Sequence, residues 1–290
     1  MQKLNKKPFV GIIAFLIVLF TMPIGHAAMI LMEKIFGEEH VFTAAAILGL
    51  IGVILLIIGL KKRTETAGTF YGLFAGLFLW TGWVEFSFVF FARHLAVPPL
   101  IENGEIVTKP EYLILPSSVG LLLIVLLYFL FNNKTQCIFF RWLQRNLKMK
   151  FINRKKAEKD RPFAIITALE IMMILWFFYI VLLLVYDNRI FGDYHPATYI
   201  VCFGSLLWSI YLFIKLIRIT KLAYAIRYAI PTVIIFWNVV EILGRWNFFR
   251  EIWIEPTKYA LEMSLILAVF ILLILISVFR KSDIKKKIDG

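Results

Sequence analysis

The chain has 290 residues, 61% of them apolar, with mean hydropathy +0.81 and a formal charge of +13. That apolar fraction lies far above soluble usage and comes in long runs, which excludes an ordinary water-soluble domain. The positive charge is gathered into a few segments, which argues against a nucleic-acid-binding face and for membrane topology.

The first apolar run, Phe9 to Leu31, follows Lys3, Lys6 and Lys7 and contains Ala27-Ala28, the outline of a cleaved signal peptide. Seven more runs follow: Phe42 to Leu60, Gly68 to Ala92, Tyr112 to Phe131, Phe163 to Tyr186, Thr198 to Ile217, Tyr224 to Leu243 and Tyr259 to Phe279. Each is about the 20 residues that cross a bilayer core of roughly 30 Å. Backbone N–H and C=O groups in lipid must be paired within their own segment, so runs of this length are expected to be helices. The seventh is the weakest, interrupted by Pro231 and carrying Asn238 and Glu241.

The two halves of the chain echo each other. Ile35-Phe36-Gly37-Glu38-Glu39-His40 returns as Ile190-Phe191-Gly192-Asp193-Tyr194-His195. Lys7-Pro8-Phe9 returns as Arg161-Pro162-Phe163, and Trp83-Val84-Glu85 as Val239-Val240-Glu241. Phe90-Phe91-Ala92-Arg93 matches Phe248-Phe249-Arg250. A repeat of fixed period implies a duplicated unit, and it aligns the first run with one in mid-chain, so the first is read as a retained helix. The expected fold is an all-α integral membrane protein of eight transmembrane helices, arranged as two tandem parallel four-helix repeats. Its divisions are residues 1–133 and 161–280 for the repeats, 134–160 for a basic linker and 281–290 for a basic tail.

The N-terminal tail, the 61–63 loop, the 134–161 segment, the 215–227 segment and the C-terminal end from Arg280 hold 25 of the 32 Lys and Arg residues. All five fall on one side of an eight-span chain, which places both termini in the cytoplasm. The expected setting is a bacterial or archaeal cytoplasmic membrane, with the basic side on the anionic cytoplasmic leaflet. Glu33, Glu38, Glu39, Glu102, Glu105, Glu111, Asp187 and Asp193 gather on the opposite side. In the linker, Phe140, Leu143, Leu147 and Phe151 share one helical face and Arg141, Arg145 and Lys148 another, the pattern of an amphipathic interfacial helix. Cys137 and Cys202 fall at different depths, so no disulfide is expected.

Ionisable residues inside spans mark candidate sites, because they are expensive to keep there. Glu85 and Glu241 correspond in the two repeats, each with a polar-capable neighbour at i−4, Thr81 and Trp237. Arg245 stands at i+4 from Glu241, where it could neutralise it, while Glu85 is expected either to pair with Arg93 or His40 or to stay protonated. His40 and His195 follow the repeated glycine turn and read either as part of a helix cap or as ligand or proton-transfer groups. Arg250 and Asn238 complete the candidate binding set, and His40, His195, Glu85 and Glu241 are the candidate metal ligands. His26 reads as a buried structural residue, and Pro23 and Pro231 as kinks.

These residues point to a polar cluster between the repeats that binds or moves a small solute, an ion or a lipid headgroup. A membrane-embedded enzyme with a Glu/His site, with or without a metal, and a non-catalytic subunit of a membrane complex stay open. The sequence names no cofactor, and its partners are the bilayer with either partner subunits or further copies of itself. It contains no phosphate-binding glycine loop, nucleophile elbow or His-Glu-x-x-His motif.

Overall fold

The computed structural model describes residues 7–62, 64–102, 105–132, 138–149 and 161–288. The chain is helical apart from a short β-hairpin, and seven of its described helical segments are long and apolar enough to cross a membrane. The first, α1, runs from Phe9 to Lys61. A straight helix of that length would extend about 80 Å, but Gly37 takes φ 61° and ψ −176° and breaks it. Only glycine adopts that conformation cheaply. The two parts double back: the Gly11 backbone lies against the Leu216 carbonyl, and Gly59 lies against Ala164. The beginning and end of α1 therefore sit at the same end of the bundle.

After α1 come α2 (Glu65–Leu79), a π-helical turn (Trp80–Glu85) and α3 (Phe86–His94), which together form the second candidate span. Strands β1 (Leu100–Glu102) and β2 (Glu105–Thr108) pair antiparallel at the opposite end. Next, α4 (Pro110–Ile114), a 3₁₀ turn (Leu115–Ser118) and α5 (Val119–Phe131) make the third. A short amphipathic helix, α6 (Ile138–Asn146), follows where the linker pattern predicts one, although Phe151 and Cys137 lie outside the described residues. The buried Gln144 of α6 donates to the carbonyls of Phe129, Leu130 and Asn132, satisfying the end of α5. Then come α7 (Phe163–Tyr186), α8 (Pro196–Leu216), α9 (Leu222–Arg245) and α10 (Ala260–Ile288).

The core lies around α7 and α9. In its most apolar window α9 is 72% buried and α7 56%, against 11% for the α4–α5 span and for α10, whose faces are left to lipid. The α9 segment thus forms one continuous helix despite Pro231, and α1 likewise continues through Pro23 to break at Gly37 instead. Without a hydrophobic driving force between helices in lipid, close contact depends on small residues. Gly68, Gly72 and Gly76 recur every fourth residue on α2 and face Phe163, Ala164 and Ala168 of α7. Fully buried Ala225 and Ala229 on α9 share a core with Val10 and Ala14 of α1 in the same way.

One buried ionic clasp ties this end together. Arg227 donates to Thr69 Oγ1 at 2.6 Å and to Glu65 Oε1 at 2.5 Å, with its guanidinium 4.9 Å from the Phe163 ring. It joins α9, α2 and α7 near the basic helix ends.

Candidate functional site

The end remote from the Phe9, Lys61, Phe163 and Leu216 ends opens into a cavity of about 420 Å³. It descends between α1, α7 and α9, is roofed by Leu100 and Thr108 of the hairpin, and reaches Met22, Leu175 and Ile234 near the middle of their helices. Its walls are mostly apolar, with a small set of convergent polar groups, the usual composition of a small-molecule site.

The polar floor is built around Glu241 and His26. Glu241 Oε1 accepts a hydrogen bond from Trp237 Nε1 at 2.6 Å, the i−4 relation anticipated on α9. His26 Nε2 lies 3.4 Å from the same oxygen, and its ring stacks on Trp237 with centroids 6.1 Å apart. Glu85, the last residue of the π-helical turn, does not line the cavity; Trp80, Thr81 and Tyr179 direct polar groups toward its carboxyl. His26 thus contacts Glu241 directly and couples electrostatically to Glu85. π-helical turns recur at functional positions because the extra residue turns a side chain out of the regular ladder.

Two further polar atoms line the cavity without partners. Asn238 is 1% exposed, and its Nδ2 makes no hydrogen bond; the Tyr186 hydroxyl is in the same state. Buried donors are nearly always paired, so exceptions that face a cavity point to a group the cavity receives.

The remaining candidates are placed elsewhere. Arg245 donates to Asp193 Oδ1 at 2.5 Å and lies 4.5 Å from the Tyr186 ring, so it pins the loop after α7 where the sequence suggested a neutraliser of Glu241. Trp246 Nε1 binds the Asp193 carbonyl at 2.8 Å and completes that anchor. Arg93, an expected partner of Glu85, pairs instead with Glu33 at 3.1 Å. His195 is the N-cap of α8, accepting from Ala197 N at 3.1 Å through Nδ1. His40 is exposed, and neither histidine lines the cavity. Arg250 is exposed beside the Tyr259 hydroxyl, at 3.4 Å. Trp253 is buried in the cavity wall with its ring 4.9 Å from Trp237. Ser118 accepts an interhelical bond from Trp176 at 2.8 Å.

Among the described residues no three His, Cys, Asp or Glu side chains converge as metal ligands would. His26, which reads from sequence as a buried structural residue, lines the cavity beside Glu241, a contact between helices distant in sequence that spacing along one helix does not reveal.

At the mouth, Glu251 follows α9 in the loop before α10, and its carboxyl is pushed up to about 7, chiefly by burial and further by Glu241, with Arg245 opposing. Below the cavity, buried Glu170 of α7 borders a void of about 20 Å³. Phe178 lines both spaces and stands between them.

Comparison with known proteins finds no matching family model, no similar curated protein and no similar solved structure, so the geometry alone carries the functional argument.

Proposed function

We propose that this protein is an eight-span membrane protein of two parallel repeats that binds a small solute in the cavity between them. Counting α1 as two spans joined at Gly37 gives eight. The repeated glycines Gly37 and Gly192 both take positive φ, at 61° and 97°. The packing is reciprocal as well: the opening span of each half meets the third span of the other, α1 with α9 and α7 with α2. Lys61, Lys62, Lys215, Arg218 and Lys221 lie at the closed end, which supports a cytoplasmic location for that end.

The single observation that carries the solute reading is a cavity of about 420 Å³ whose wall carries the Glu241–His26 contact and an unpaired, buried Asn238 amide. Movement of the solute would pass Phe178 toward Glu170, since that ring separates the two spaces. A second reading, catalysis by His26 and Glu241 as an acid–base couple, draws on their 3.4 Å separation.

A thermal-shift screen of a metabolite library in detergent tests the solute reading, run on the wild type and on Leu182→Trp, which fills the cavity. Compounds that stabilise the wild type and not the filled variant are expected. If every stabilising compound acts equally on both, the cavity is not the binding site and the proposal fails.

A further inference from the structure

The cavity wall carries five carboxylates, Glu33, Glu111, Asp187, Glu241 and Glu251, against two full cations, Lys109 and Arg245. Pairing leaves the excess of acids unchanged, four carboxylates against Lys109. Arg245 is already held by Asp193, which lies outside the wall, and Glu33 is held by Arg93. The charge left facing the cavity is therefore negative. The rings of Trp237 and Trp253 border the same space, and aromatic faces attract cations most strongly where water is excluded.

An independent observation supplies the second half of a recognition pattern. Asn238 precedes Glu241 by three residues on α9, so the two side chains share a face about 5–6 Å apart. The Asn238 Nδ2 is buried without an acceptor. A ligand matching both groups carries a positive charge near Glu241 and a neutral acceptor one helical turn deeper. A simple anion would meet the excess of carboxylates, and a bare metal ion would find no third ligand among the described residues.

Resting on the solute-cavity reading above, we infer that the ligand class is organic cations, specifically an ammonium group carrying a nearby uncharged hydrogen-bond acceptor. The ammonium packs between Glu241 and the two tryptophans, and the acceptor receives a hydrogen bond from Asn238 Nδ2. A free amine and an aminated lipid headgroup share this chemistry.

Thiol labelling of the full-length protein tests the inference. Met22→Cys, with Cys137→Ser and Cys202→Ala, places one thiol a turn below His26, so a reagent must pass Glu241 to reach it. Ile30→Cys, nearer the mouth, gives the same comparison if the first variant does not fold. The trimethylammonium-ethyl and sulfonatoethyl methanethiosulfonates are compared in neutral detergent, each rate divided by its rate with free mercaptoethanol. The cationic reagent is expected to be favoured at least about tenfold, equivalent to roughly 1.4 kcal/mol, and Glu241→Gln should remove most of that preference. Equal normalised rates, or a preference for the sulfonate, would overturn the cation assignment while leaving a solute cavity in place. No labelling by either reagent at both positions would overturn the cavity reading itself. To separate sources, the thiol is reconstituted in phosphatidylglycerol vesicles with or without phosphatidylethanolamine. Protection by the lipid identifies a headgroup; protection only by added N-acetylethylenediamine identifies a free amine; protection by neither overturns the proposal.

Discussion

Asn238→Leu separates binding from folding. The two side chains are nearly the same size and shape, so the substitution removes polarity without opening a void. In the wild type Nδ2 is buried without a partner, a condition that costs about 1–3 kcal/mol in comparable sites. The substitution also lets an apolar side chain meet Ile234 and Trp237, which border the same cavity. The ligand-free variant is therefore expected to be more stable than the wild type by about 1–2 kcal/mol, a rise in Tm of roughly 2–5 °C for a chain of this size. The assay is thermal unfolding in detergent, with both proteins scanned at the same rate. Ligands found with the wild type should no longer shift the variant, because stabilisation by a ligand requires binding to the folded state. Tyr186→Phe removes the second unpaired atom and should be neutral or mildly stabilising for the same reason. A loss of more than about 1 kcal/mol on Asn238→Leu, the cost of breaking a satisfied bond, would refute the reasoning and make the amide a structural tie.

Three further outcomes follow from the geometry. Gly72→Leu drives a side chain into the Ala164 backbone of α7, and because backbone cannot yield cheaply the loss should exceed the usual 1–3 kcal/mol of core overpacking; size-exclusion chromatography should show aggregation, and a monodisperse variant of wild-type Tm would contradict the packing. Glu251 holds its proton up to about 7 in the folded protein against an ordinary 4.5, so the folded state binds the extra proton and stability falls as pH rises through that window; Glu251→Gln should flatten the wild-type decline in Tm, and an unchanged slope would remove Glu251 as its source. His195→Ala deletes the α8 cap and should cost about 0.5–2 kcal/mol with ligand binding intact, measured by thermal shift; loss of binding would return His195 to the site.

Membrane residence was legible in the sequence because lipid imposes it locally: a run of about 20 apolar residues must pair its own backbone wherever it sits. The break between the first two runs was legible too, since Phe36-Gly37 recurs as Phe191-Gly192 and a positive φ at Gly37 is a property of that residue itself. The contact of Glu241 with Trp237, its i−4 neighbour, could be read from spacing along one helix.

Partner choice could not be read that way. Arg245 is four residues from Glu241 yet bonds Asp193, 52 positions away, and Arg93 bonds Glu33 rather than Glu85, 60 positions away. Likewise His26 reaches Glu241 only because α1 and α9 pack side by side at matching depth. The sequence by itself determined which segments enter the membrane, where the first one breaks and which residues are costly to bury, because those follow from local composition and conformation. Tertiary structure alone decided which charges meet and which polar atoms are left facing a cavity, because in a helical bundle those depend on how helices distant in sequence rotate and align against one another.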